Sequence, residues 1–268
     1  MRFTKMEGLG NDYVYLDCTK EAPSGLPELA RRISDRHFGV GSDGLICIFP
    51  SQIADFKMAM FNADGSQAEM CGNGIRCVGK FVFDKGLTQR TELTIETLAG
   101  VKRLSLSILG GQVDAVTVDM GVPSVGELRE VSLQSKTLQG VSVSVGNPHF
   151  VIQAANVKGY PLQELAPLSA PNPVFPEGVN VEIAEVLDRG HIRMRVWERG
   201  SGETLACGTG ACATLAACAS LGLCDREATV ALLGGELHIA WRQEDGHVFM
   251  TGPARTVFEG EWPELMLL

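Results

Sequence analysis

The sequence predicts an α+β protein of two pseudo-symmetric domains, each a mostly antiparallel, β-barrel-like sheet wrapped on a central helix, with the active site in the interdomain cleft. Three observations predict it. The motif Met70-Cys71-Gly72-Asn73-Gly74 returns as Ala206-Cys207-Gly208-Thr209-Gly210, an offset of 136 residues between Cys71 and Cys207. Other landmarks keep the same register without a gap: Gly10-Asn11 with Gly146-Asn147, Met58 with Met194, Phe61-Asn62 with Trp197-Glu198, and Gly44 opposite Asn180. Finally, both copies carry the same order of strand-like and helix-like stretches. Self-similarity at a long, fixed period is the signature of a duplicated fold.

Within each copy an opening strand, Tyr13 to Asp17 or Phe150 to Gln153, leads to a strand pair ending near Met60 or Val196. A loop containing C-G-x-G follows, and then a helix, Ile75 to Asp84 or Ala211 to Leu221. Alternating stretches come next, Leu93 to Asp119 and Thr229 to Thr251, with turns at Gly110-Gly111, Gly234-Gly235 and Asp245-Gly246. The boundary falls between Val116 and Pro123, giving an N-terminal repeat over 1–118 and a C-terminal repeat over 119–256. The last segment, 257–268, is expected to rejoin the first domain, with Thr256 to Phe258 as the returning strand.

The 268 residues carry a formal charge of −9, which argues against nucleic acid or an anionic membrane as partner, since both need clustered Lys and Arg. Met1 to Asp12 mixes charges and glycines with no apolar core, so no secretory signal and a cytoplasmic location are expected. Thr204 to Cys224 holds no charged residue and matches the length of a bilayer span. Its Ala, Gly, Cys, Thr and Ser content points instead to a helix buried in a protein core. Eight cysteines without a C-x-x-C pair, and five histidines without metal-ligand spacing, point to reduced thiols and no metal site.

Cys71 and Cys207 stand apart from the other six because each precedes a helix start. Unpaired N–H groups and the positive end of the helix dipole favour a thiolate, lowering the pKa from about 8.5 towards neutrality. The glycines leave those N–H groups open to an anion such as a carboxylate. Two such turns facing one another suit a two-base inversion at one α-carbon, one sulfur removing a proton while the other delivers one. Because two nearby thiolates repel, only one is ionised at a time.

These residues identify the resemblance. Along nearly its whole length the chain resembles the diaminopimelate epimerases, on Gly8-Leu9-Gly10-Asn11-Asp12, Phe61-Asn62-Ala63-Asp64-Gly65-Ser66, Glu69 to Arg76, Gly146-Asn147-Pro148-His149, Gly178-Val179-Asn180-Val181, Trp197-Glu198-Arg199-Gly200 and Ala206 to Gly210. That family is similar in fold to proline racemases and phenazine-pathway isomerases. The resemblance implies interconversion of LL- and meso-diaminopimelate for lysine and peptidoglycan precursors, without pyridoxal phosphate or any other cofactor, in a homodimer. It implies Cys71 and Cys207 as base and acid, with His149 and Glu198 tuning them. It also implies a substrate site of Asn11, Asn62, Gly72, Asn73, Asn147, Asn180, Glu198, Arg199, Gly208 and Thr209. Gly44 stands where some members carry a glutamine, so only a backbone contact is expected there.

Two rivals are weaker. Gly39-Val40-Gly41-Ser42-Asp43-Gly44 fits a dinucleotide fingerprint, but a helical stretch precedes it and a strand-like one follows, the reverse of what that fingerprint needs. A proline-type racemase would keep both cysteines, yet typically shows a histidine where Asn73 stands.

Overall fold

A sheet can wrap a helix only if the helix buries every side, and both central helices of this chain do so. In the computed structural model, which describes residues 1–133 and 136–263, the chain divides into two compact units. One comprises Met1–Val118 with Gly252–Leu268, the other Asp119–Thr251. The chain thus returns to the first unit at Gly252, ahead of the 257 expected from sequence, and residues 264–268 of the expected returning segment lie outside the described residues.

In the first unit β1 (Arg2–Gly8) pairs antiparallel with β2 (Asn11–Asp17) through the two-residue turn Leu9-Gly10. Both turn residues have positive φ, 57° and 83°, the geometry a tight hairpin requires, and the turn presents Asn11 at the start of β2. Helix α1 (Leu26–Ser34) then crosses to β3 (Gly44–Phe49), which runs parallel to β2. Strand β4 (Phe56–Asn62) pairs antiparallel with β3 and with the short β5 (Gln67–Ala68). Helix α2 (Gly72–Asp84) leads to β6 (Glu92–Thr97), parallel to β4, followed by β7 (Gly100–Leu109) and β8 (Gln112–Gly121) in antiparallel succession.

The second unit repeats the plan. Strands β9 (Ser124–Leu133), β10 (Lys136–Ser144) and β11 (Pro148–Gln153) pair antiparallel in order. After a short 3-10 turn and α3 (Ala166–Ser169) comes β12 (Asn180–Asp188), parallel to β11. Next are β13 (His191–Glu198), β14 (Gly202–Glu203), α4 (Gly208–Ser220), β15 (Glu227–Leu232), β16 (Gly235–Trp241) and β17 (Val248–Pro253). In the first unit, β18 (Arg255–Glu261) pairs antiparallel with β1, Thr4 opposite Glu259.

Helices α2 and α4 are each 13 residues long and begin 136 residues apart, at Gly72 and Gly208. Two features differ from the sequence expectation. The sheets are mixed, because helical connections bring β3 parallel to β2, β6 parallel to β4, β12 parallel to β11 and β15 parallel to β13. The glycines of C-G-x-G lie inside the first helical turn rather than in a loop before it, so each helix starts three residues early and the cysteine itself is the N-cap.

The burial follows from composition. Nearly every residue of α4 from Gly208 to Cys218 is inaccessible, packed against β10, β11, β12, β13, β15 and β16. Its Ala, Gly, Cys, Thr and Leu side chains leave room for strands all round. Helix α2 is buried from Gly72 to Val82, with Gly79 set tightly against Leu104 and Leu106 of β7. It also carries two buried cations: Lys80 donates to the Val113 carbonyl (2.7 Å) and pairs with Asp84 (2.6 Å), while Arg76 donates to the Gly72 and Pro253 carbonyls. A second core lies on the outer face of each sheet. Val14, Leu16, Leu45 and Cys47 pack with Ala30 and Ile33 of α1, and Phe150, Ile152, Val181 and Ile183 pack with Leu162, Leu165 and Leu168. Among the described residues no helix is long and apolar enough to cross a membrane.

Candidate active site

In each unit the candidate residues gather where parallel strands begin, beside the N-terminus of the central helix. In the first unit, register places Tyr13 opposite Gly44 and Gly44 opposite Asn62, so Asn11, Gly44 and Asn62 share one end of the sheet. Cys71 caps α2 from an extended backbone (φ −128°, ψ 122°), and its sulfur accepts the Gly74 N–H at 3.4 Å. The Cys71 thiol in turn donates to Asn11 Oδ1 at 3.2 Å. Asn11 is held from behind, its Nδ2 donating to Asp43 Oδ2 at 2.7 Å. A carboxylate accepts only, so Asp43 dictates which end of the Asn11 amide meets Cys71.

That arrangement is anchored by charge. Arg36 bridges Asp12 (2.9 Å) and Asp43 (3.0 Å), and buried Lys5 also pairs with Asp12. Burial alone would raise the Asp12 pKa, but hydrogen bonds and charge from Arg36 and Lys5 outweigh it and hold the carboxyl below its ordinary 3.8. Asn62 donates to Ser66 Oγ at 3.0 Å. Gly44 has no room for a side chain, since a Cβ there would lie 2.1 Å from the Phe61 carbonyl oxygen. Gly72 and Asn73 form the first turn of α2.

In the second unit Cys207 caps α4 from a similar backbone (φ −123°, ψ 110°), its sulfur 3.5 Å from Thr209 Oγ1, with Gly208 and Thr209 in the first turn. His149 pairs in register with Asn180, and Val181 with Trp197, so His149, Asn180 and Glu198 occupy neighbouring strand ends. The Asn180 amide is engaged at both ends, donating to the Pro148 carbonyl (3.1 Å) and accepting the Arg199 N–H (2.8 Å). The Arg199 guanidinium donates to the Glu177 carbonyl at 3.0 Å, and Glu198 accepts from the Thr204 hydroxyl. The His149 ring spans Glu182 Oε1 at Nδ1 (2.6 Å) and Asn147 Oδ1 at Nε2 (3.0 Å).

The pKa of Cys207 departs from what a helix start alone dictates. Burial, followed by the charges of Glu198 and Glu182, pushes the thiol well above its ordinary 9.0, against the weaker pull of the Thr209 hydroxyl and the Gly210 N–H. A half-charge at a helix end does not offset full desolvation beside two carboxyls. Glu198 therefore acts on Cys207 through its charge, whereas the direct contacts of His149 are with Glu182 and Asn147.

Two residues beyond the sequence reading enter the site. Asp43 was visible only as part of the misleading glycine-rich motif. Glu182 is the lone charge in the apolar run from Val179 to Ala184, and a carboxyl inside a buried strand was the signal that could have found it. All eight cysteines are free thiols, and all but the half-buried Cys71 are buried. Burial pushes Cys77 up to about 11, as expected of an inert core thiol.

With this geometry the comparisons with known proteins become interpretable. A phenazine biosynthesis protein of the PhzF family from Bacillus anthracis superposes with TM-score 0.76 at 18% identity, covering 98% of this chain and 99% of that one. A probable proline racemase from Agrobacterium radiobacter gives 0.73 at 17%, covering 98% and 92%. A hydroxyproline epimerase from Agrobacterium vitis gives 0.71 at 17%, covering 97% and 90%. The fold is thus the one shared by proline racemases and PhzF-type proteins. Sequence narrows this further, because the profile described as diaminopimelate epimerase matches residues 3–126 and 141–257. The chain is 52% identical to the diaminopimelate epimerase of Acetivibrio thermocellus, across 97% of this chain and 98% of that one. It is 51% identical to that of Methanococcus maripaludis, over 97% and 99%. The chain belongs to the diaminopimelate epimerase family.

Proposed function

We propose that the chain interconverts LL- and meso-diaminopimelate by passing the α-proton between Cys71 and Cys207, in the synthesis of lysine and peptidoglycan precursors. The observation that carries the reading is that both cysteines, and no other, cap the N-terminus of a central helix, at positions related by the repeat. First-turn N–H groups lack intrahelical partners and attract anions. Those of Gly72-Asn73 and Gly208-Thr209 accordingly hold the reacting carboxylate and stabilise the charge that grows on it as the α-carbon loses its proton. One sulfur, as thiolate, takes that proton. The other, as thiol, delivers its own to the opposite face, so the charge on the pair is conserved. This requires both sulfurs to reach one α-carbon in the bound state.

Asn11, Asn62, Asn147 and Asn180 then line the substrate's polar groups. Glu198 meets an ammonium, and Arg199 turns from the Glu177 carbonyl to clamp the distal carboxylate, since a guanidinium fork fits a carboxylate better than a carbonyl. Gly44 contributes backbone alone. The reading includes a cofactor-free reaction, two domains that follow the repeat, and a homodimer in the cytoplasm; sedimentation of the purified protein decides the last association.

Cys71→Ala and Cys207→Ala should each lower epimerisation by at least about 10³-fold while leaving the circular dichroism spectrum unchanged. In deuterated water the wild type should place deuterium at the inverted centre of diaminopimelate and at no position of proline. Full activity in either variant, or no exchange in the wild type, removes the mechanism. Exchange on proline in preference to diaminopimelate removes the substrate.

A further inference from the structure

The two helix entrances are alike, but what lies beneath them is not. Under α4 the Glu182 carboxyl presses on the first turn, and a Cβ built at Gly210 would stand 2.7 Å from Glu182 Oε1 and 3.3 Å from Cys207 Sγ. The repeat puts Ile46 at the position of Glu182. A Cβ built at Gly74, the counterpart of Gly210, would stand 2.8 Å from Ile46 Cδ1. Hydrocarbon therefore underlies Cys71, and a carboxyl underlies Cys207.

Glu182 is 0% exposed and His149 1%. Oε1 is satisfied by His149, but Oε2 is buried and has no hydrogen-bond partner among the described residues. A carboxylate buried with one bare oxygen is costly unless a proton neutralises it. Burial, the leading influence on Glu182, indeed raises its pKa, and the charge of Glu198 adds to that while His149 opposes it. The titratable groups facing Glu182 are His149 from β11, Glu198 from β13 and Cys207 at the entrance of α4. A thiolate at Cys207 would set a further negative charge against this cluster.

We infer that Glu182 is a positioning residue that makes the two thiols inequivalent: with His149 it holds one proton beneath α4, keeps Cys207 the protonated partner in the free enzyme, and leaves Cys71 to act first as the base. The same hydrogen bonds orient Asn147 through the His149 ring, as Asp43 orients Asn11. This inference rests on the two-thiol reading above.

The test is an NMR titration of protein labelled at cysteine Cβ with carbon-13, resonances being assigned with single Cys→Ser variants. Glu182→Gln keeps the shape and removes the ionisable carboxyl from beneath Cys207. It should lower the Cys207 midpoint by about one unit, tenfold in thiolate at a fixed pH below it, with the Cys71 midpoint unmoved. Glu182→Ile, which installs the residue of the other repeat, should move Cys207 in the same direction. A purely packing role predicts no shift in Glu182→Gln. A wild type that exchanges deuterium into diaminopimelate, with a Glu182→Gln titration identical to it, overturns the role of Glu182 alone. No exchange in the wild type overturns the two-thiol reading and this inference together.

Discussion

The half-site at Cys71 and the half-site at Cys207 share backbone and differ in support. Both cysteines take the same extended N-cap conformation, and both helices run 13 residues. Around Cys71 the supporting groups are a charge network that runs from buried Lys5 through Asp12 to the more exposed Arg36 and Asp43, which orients Asn11. Around Cys207 they are a hydrogen-bonded chain of half-buried Asn147 and buried His149 and Glu182. The repeat gives the two cysteines equivalent positions, and the side chains around them make those positions unequal. A reaction that needs one thiolate and one thiol at a time is served by that inequality, because two identical environments would favour neither assignment.

The comparison can be strained first at the paired glycines. Gly210→Ala presses its methyl on the Glu182 carboxyl and the Cys207 sulfur, both of them buried. Misplacing a reacting group by about 1 Å can cost about 10²-fold, and a fall approaching that in kcat/KM is expected. Gly74→Ala meets the Cδ1 methyl of Ile46, a hydrocarbon with no part in the proposed proton transfer, so its loss should stay within about threefold. Equal losses in steady-state assays would mean that the two entrances are equally constrained.

A smaller effect separates the halves by pH. The Asp12 carboxyl is held below 3.8, so its stabilisation is complete above the unfolded value and lost as pH falls through the folded one. Asp12→Asn, which leaves buried Lys5 without its carboxylate, should cost about 2 kcal/mol in urea unfolding at pH 7, and the cost should fade below about pH 4. Glu182 has the opposite sign: its folded pKa lies above 4.5, so what it contributes through protonation is present at low pH and lost as pH rises. A penalty for Asp12→Asn that is constant from pH 7 to pH 3 would contradict the first half of this contrast.

The mildest expected change is at Tyr15, which the repeat pairs with Val151. Its buried hydroxyl donates to the Gly74 carbonyl at 3.2 Å, a bond the second unit does without. Tyr15→Phe should lower stability by about 1 kcal/mol with kcat/KM within about twofold of wild type, read by thermal unfolding and the same assay.

Much of this was legible before any coordinates. The register linking Cys71 to Cys207, Asn11 to Asn147 and Met58 to Met194 is a property of the chain, and the equal helix spans follow from it. The small residues of Thr204 to Cys224 already described a helix that strands could surround. Less legible were β9, whose residues are largely exposed, and β10, whose buried positions alternate weakly. The parallel pairings were also missed, because period-two patterning reports a strand's faces and not its direction.

By itself the sequence determined the duplication, the α+β class, the two cysteines at the helix entrances and the family, since each depends on residue identity at fixed spacing along the chain. Only the tertiary structure decided what surrounds those cysteines. Glu182 and Cys207 are neighbours because β12 passes under the first turn of α4, and Asp43 reaches Asn11 because β3 starts beside β2. Desolvation and charge act through space, so the pKa of Cys207, raised where a helix start alone would lower it, was set by contacts between residues far apart in the chain.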